Sequence, residues 1–180
     1  MPRRLRLFVL AAAAASALAL GSYALAAAVG THADSPGGSF HANLTGYQET
    51  PAVSSTGSGH FRATRVEEEK LHYVFTYEGL EGGASLFAHV HFGQRSVAGM
   101  VSFFLCGGST KPDPCPNVAG RVEGDITPAD VIGPSGQGIE PGSFAEIVKA
   151  MRAGIAYVNI HTTRWPGGEI RGQITRDAGD

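Results

Sequence analysis

The sequence predicts an all-β domain, a seven- to eight-stranded antiparallel β-sandwich of Greek-key type with one short helix before its penultimate strand. Three observations predict it. Beyond residue 33 the apolar side chains recur mostly with period two. Glycine-rich turns, drawn from 25 glycines in 180 residues, separate these segments at short intervals. A single longer segment of helical period carries its own start and stop signals.

Residues 1–33 stand apart from the fold. Arg3, Arg4 and Arg6 precede an apolar stretch from Leu7 to Leu20, followed by small-residue sites at Ala24-Leu25-Ala26 and Thr31-His32-Ala33, the order of a secretory signal peptide. The alternative is an uncleaved membrane anchor, a reading weakened by Gly21, Ser22 and the many alanines. Residues 34–39 read as a short linker, 40–175 as the domain and 176–180 as a C-terminal tail.

Within the domain, Phe40, Ala42 and Leu44 alternate with His41 and Asn43, and Leu71, Tyr73, Phe75 and Tyr77 alternate with His72, Val74 and Thr76. Glu67-Glu68-Glu69-Lys70 separates the segment His60–Val66 from Leu71–Tyr77 and reads as a solvated hairpin tip. Ala88, Val90 and Phe92 form the core phase of a further strand, as do Ala156, Val158 and Ile160. Val101–Leu105 and Ala119–Ile126 are short strands flanking a proline-rich loop. Glu169–Thr175 is the last, with Ile170 and Ile174 inward and Glu169, Arg171 and Gln173 opposite. The helix starts at Ser143, with Glu146 completing a capping box; Phe144, Ile147, Val148 and Met151 form its apolar stripe, and Gly154 closes it. Thr127-Pro128-Ala129-Asp130 is a second, shorter helical start with proline at the first helical position.

Without the three leader arginines, 11 basic residues face 16 acidic ones, and no basic cluster appears, which argues against nucleic-acid binding. Once a signal peptide is removed no membrane span is expected. Cys106 and Cys115 are the only cysteines; in an exported chain they read as a disulfide across the loop 107–114, the competing reading being a pair of metal thiolates.

The chemistry concentrates in three histidines. His89 and His91 lie two residues apart on one strand, which puts them on the same face roughly 6.6–6.8 Å apart along the backbone. His161 shares its strand phase with Tyr157 and Asn159. Three neutral imidazoles suffice for a copper or zinc site; copper is preferred because divalent affinity peaks there, and zinc is the alternative. Ring nitrogens about 3–5 Å apart are expected of such a site. By strand phase, Glu169, Asn159 and Tyr157 are candidates to support the ligands, Glu169 by accepting a ring N–H, and Arg171 is a candidate to attract an anion. His41, His60 and His72 are candidates for a fourth ligand.

Leu44-Thr45-Gly46-Tyr47-Gln48-Glu49-Thr50-Pro51-Ala52-Val53, Leu71-His72-Tyr73 leading to Gly79-Leu80, Ala88-His89-Val90-His91, Ala153–Thr162 and Pro166-Gly167-Gly168-Glu169-Ile170-Arg171-Gly172 together resemble the CHRD domain, the module named after chordin, over about Phe40 to Thr175. The resemblance implies an extracellular all-β module found alone in bacteria and in tandem in some animal matrix and signalling proteins.

His89-Val90-His91-Phe92-Gly93 is also similar to the copper-binding strand of copper/zinc superoxide dismutases, with His161 placed late in the chain as their last copper-binding histidine is. That similarity implies a superoxide-dismutase-like sandwich and gives Arg171 the part of an anion-guiding residue. No histidine lies between His91 and His161, so a bridging histidine is missing and a mononuclear centre is implied. The expectation is a secreted, periplasmic or cell-surface protein holding one copper ion through His89, His91 and His161, with redox chemistry on small oxygen species. The alternative is a non-catalytic extracellular module for a protein or matrix partner.

Overall fold

The computed structural model describes residues 38–177. The leader, and most of the linker and tail, lie outside the described residues. The described chain forms β1 (Ser39–Thr45), β2 (Ser58–Glu67), β3 (Lys70–Glu78), β4 (Ser85–Phe92), β5 (Met100–Cys106), β6 (Gly120–Ile126), α1 (Phe144–Arg152), β7 (Ala156–Thr162), β8 (Ile170–Gln173) and β9 (Thr175–Arg176). The segment read as one last strand is split at Ile174 into β8 and β9, so α1 precedes the penultimate long strand.

All strand pairings are antiparallel, in the order β5-β4-β7-β8-β1-β2-β3-β6, with β9 beside β1. The two layers of the sandwich are thus halves of one continuous sheet that curls towards a barrel. The Tyr73 hydroxyl on β3 donates to the Leu105 carbonyl on β5 at 2.8 Å, across the interior. The chain returns from β6 to β7, which lies beside β4, a Greek-key connection.

Alternation decides which side chains are inside. Phe40, Phe61, Phe75, Phe103, Val90, Val158 and Ile170 are 0–1 % exposed in one core. Helix α1 adds Phe144, Ile147 and Met151 and packs on β7 and β9. Its expected capping box does not form: Ser143 occupies the N-cap with no side-chain bond, and the Glu146 N–H donates to the Ser143 carbonyl. A capping box forms instead at the short 3-10 turn Pro128–Asp130, between Thr127 and Asp130. Residues Glu67 and Lys70 close the β2–β3 hairpin with a 2.6 Å ion pair. Cys106 and Cys115 are disulfide-bonded, Cα atoms 5.2 Å apart, so the thiolate reading falls away.

The positions outward-phased on β4, β7 and β8 are not solvent-exposed as alternation alone implies. Every residue of β7 and β8 is buried. Two loops cover their outer side: 46–53, which follows β1, and 93–99, which joins β4 to β5. The Gln173 amide donates to Gly93 O at 3.0 Å and to Gly154 O at 2.9 Å, and Arg171 reaches the carbonyls of Gln94 and Val97.

Candidate metal centre and its surroundings

The register of β4 on β7 brings the histidines together. Phe87 pairs with His161, His89 with Asn159 and His91 with Tyr157, so the three histidines share one sheet face as direct or diagonal neighbours. One ring nitrogen from each lies within 4.8 Å of the other two. Ring centroids are 4.4 Å apart for His89 and His91, and 4.6 Å for His89 and His161. His89, His91 and His161 are only 3 %, 8 % and 6 % exposed. Phe87 lies against His89 and His161, Phe104 sits edge-on to His89, and Tyr157 stacks on His91 at 4.5 Å.

Burial among aromatic rings keeps the imidazoles neutral. Desolvation depresses all three, with mutual repulsion among the charged forms adding to it for His89 and His91; His89 is pushed down furthest and His91 to about 4. Neutral histidine is the form that binds metal. The partners fix the tautomer of His161: its Nδ1 faces the Pro166 carbonyl at 2.8 Å, a carbonyl only accepts, so Nδ1 carries the proton and Nε2 keeps a lone pair. His91 meets an acceptor at each nitrogen, the Gly99 carbonyl at Nδ1 (2.9 Å) and Asn159 Oδ1 at Nε2 (3.1 Å), and as a neutral ring it donates to one of the two. His161 Nε2 and His89 Nδ1 are buried with no hydrogen-bond partner among the described residues. Orphaned buried nitrogens are costly and rare, and two of them in one three-histidine cluster are what a metal site would leave behind. The donor set fits a copper or zinc ion.

The supporting residues differ from the expectation. Glu169 does not touch a ligand imidazole: its carboxylate accepts from Ser55 Oγ, Thr162 Oγ1 and the N–H groups of Glu81 and Gly82 at 2.7–3.1 Å and is fully buried. The strand phase points it outward, but residues 81–82 lie there and take it. Backbone carbonyls of Gly99 and Pro166 hold the imidazoles in its place. Arg171 is 2 % exposed, stacked on Tyr157 and donating to Thr50 Oγ1, Gln94 O and Val97 O, so it braces the loops rather than facing solvent as an anion guide. Asn159 and Tyr157 do adjoin the cluster. Asn159 Oδ1 lies 3.1 Å from His91 Nε2, and the Tyr157 hydroxyl contacts Gly99, whose carbonyl faces His91 Nδ1. His41, His60 and His72 lie on the outer face of β1–β3, bonded to Asp177, Asn43 and Asp125, and supply no fourth ligand.

The sequence gives Glu49 no role, yet it belongs here. It is 8 % exposed, accepts from Asn159 Nδ2 at 3.4 Å, and burial pushes its carboxyl up to about 7 against the pull of Asn159 and Arg171. It lies just after a 3-10 turn, where no period-two phase reports its direction.

The family model for the CHRD domain matches residues 40–174, the segment that builds this sheet and supplies all three histidines. The chain belongs to the CHRD-domain family. No curated protein and no solved structure matches it. The CHRD match therefore stands with the geometry of the cluster as the basis for function. Among the described residues of this CHRD domain, no helix is long and apolar enough to cross a membrane.

Proposed function

We propose that this CHRD domain is an exported module that holds one copper ion through His89, His91 and His161, with zinc as the alternative ion. A single observation carries the reading: three buried, neutral imidazoles converge within 4.8 Å, and two of them present nitrogens with no partner among the described residues. The Cys106–Cys115 disulfide and the leader-like residues 1–33 support export.

Bound copper would supply one-electron exchange to a small oxygen species, and superoxide removal is the enzymatic form of the proposal. This chain's own residues would do the rest. Gly99 and Pro166 fix the ring orientations through their carbonyls, Phe87 and Phe104 exclude water, and Glu49 can hold or release a proton one hydrogen bond from Asn159. The low exposure of the cluster favours a second reading, a non-catalytic extracellular module for a protein or matrix partner in which the centre is only a structural link between β4 and β7.

Metal analysis of the exported protein tests the proposal. About one equivalent of copper is expected, with a nitrogen-ligated signal in electron paramagnetic resonance and none in the His89→Ala, His91→Ala double variant. Equal metal content in both proteins removes the metal centre. Superoxide removal equal in both, after free copper is chelated, removes the enzymatic form alone.

A further inference from the structure

Beside the histidine cluster, and separate from it, the loops 49–54 and 164–168 enclose a cleft of about 540 Å³. That volume is in the range of small-molecule sites. Both walls are tied down. Val53 N–H and Glu49 N–H donate to Gly46 O at 2.8 and 3.1 Å, while Thr163 and Arg164 N–H donate to Ala84 O and Gly82 O and Gly168 N–H to Trp165 O, all at 3.0 Å. Gly168 can only be glycine, since its φ is +124° and a Cβ would stand 2.2 Å from Glu49 Oε1. The cleft is therefore built before any ligand arrives, which lowers the entropic cost of binding.

Its lining has a defined chemistry. Trp165, Pro51 and Pro166 offer apolar surface, Glu49 is a buried carboxyl, Arg164 is an exposed guanidinium lying over one face of the indole, 4.7 Å from the ring centroid, and Thr50 adds a hydroxyl. Arg164, charged at every relevant pH, opposes a cation, and Glu49 opposes an anion wherever its carboxyl is ionised. A hydroxyl both donates and accepts, so it can satisfy Glu49 in either protonation state and Arg164 as well. A ring that carries hydroxyls on its edge and C–H groups on its face matches the apolar walls too.

We propose that this cleft binds a neutral saccharide, with Glu49 and Arg164 as the groups that recognise its hydroxyls. The binding does not depend on metal, because neither residue touches a histidine nitrogen. It does place the sugar against the walls of the histidine centre: Pro166 holds His161 through its carbonyl, and Glu49 meets Asn159.

Trp165 is the single tryptophan of the chain, so its fluorescence reports on the cleft without background. The experiment titrates the exported protein, metal-stripped, with cellotetraose, maltotetraose, xylotetraose and chitotetraose, and with polygalacturonate, chitosan and a proline-rich peptide as rivals. A saturable change in Trp165 emission is expected with at least one neutral tetrasaccharide. Glu49→Gln and Arg164→Ala should each weaken it about tenfold, the loss implied by an unmade hydrogen bond to a charged or buried group. Glu123→Gln, on the far strand β6, should leave it unchanged. The His89→Ala, His91→Ala variant should bind as the parent does, so failure of the metal centre and failure of the cleft are read separately. No saturable change with any neutral saccharide, or binding confined to the charged polymers or the peptide, overturns the proposal. Arg164 is exposed, so its variant keeps the test decisive should Glu49→Gln fail to fold.

Discussion

Arg171 on β8 lays its guanidinium carbon 3.4 Å from the centroid of the Tyr157 ring on β7. The pair explains how a charge can be buried here without an acid directly bonded to it: the ring face supplies part of the compensation and three oxygen acceptors the rest. It also links the sheet to the histidine centre. Arg171 fixes the loop at Gln94 and Val97, the Tyr157 hydroxyl contacts Gly99, and Gly99 holds His91.

Arg171→Ala should therefore destabilise the domain by about 2–4 kcal/mol, through lost charge-assisted bonds and packing. Arg171→Lys keeps the charge but loses the planar fork and the stacking, so it should restore less than half of that. Urea unfolding midpoints of the three proteins check this. A role confined to attracting anions would leave the midpoints unchanged.

Glu169→Gln should cost about 3–5 kcal/mol, because four donors converge on the carboxylate and the new amide turns a donor of its own towards them. The loss should appear as a lower thermal midpoint, with any metal retained by the folded fraction unchanged. Metal release without loss of stability would restore Glu169 to the centre.

Acid should weaken the metal-free protein. The three histidines have folded pKa values below their ordinary 6.5, so the unfolded chain takes up more protons than the folded one as pH falls from about 6.5 towards 4. Their contribution is fully present above 6.5 and is lost progressively below it, down to about 4 for His91 and further still for His89. Glu49 acts in the opposite sense: its folded pKa is raised from 4.5 to about 7, so its contribution is present below 4.5 and lost as pH rises to 7. Three groups outweigh one, and the unfolding midpoint should fall between pH 6.5 and 4. Glu49→Gln should make the fall steeper. A flat or rising profile on acidification would show that the histidines are not buried as neutral groups.

Replacing Cys106 and Cys115 together by serine should lower stability by about 2–3 kcal/mol, the chain-entropy value for closing so short a loop. The histidine face should survive, since the bridge spans the loop that follows β5. Guanidinium denaturation, with copper content measured on the folded protein, tests both parts.

The sequence by itself determined most of the strands, the helix and which side chains enter the core. Period-two alternation places Phe40, Phe75, Val90 and Val158 inside, because a strand sends successive side chains to opposite faces. The same rule puts His89 and His91 on one face, and the short cysteine spacing fits the bridge that formed. Only the tertiary structure decided what lies over that face. Strand phase cannot distinguish a side chain facing water from one facing a loop folded back over the sheet, so Glu169 and Arg171 read as site residues when loops 81–82 and 93–99 had claimed them. Glu49 was invisible for the complementary reason. It stands outside any strand, 110 residues from Asn159 in the chain, and only the antiparallel path that brings the start of the domain beside β7 and β8 places its carboxyl one hydrogen bond from that residue.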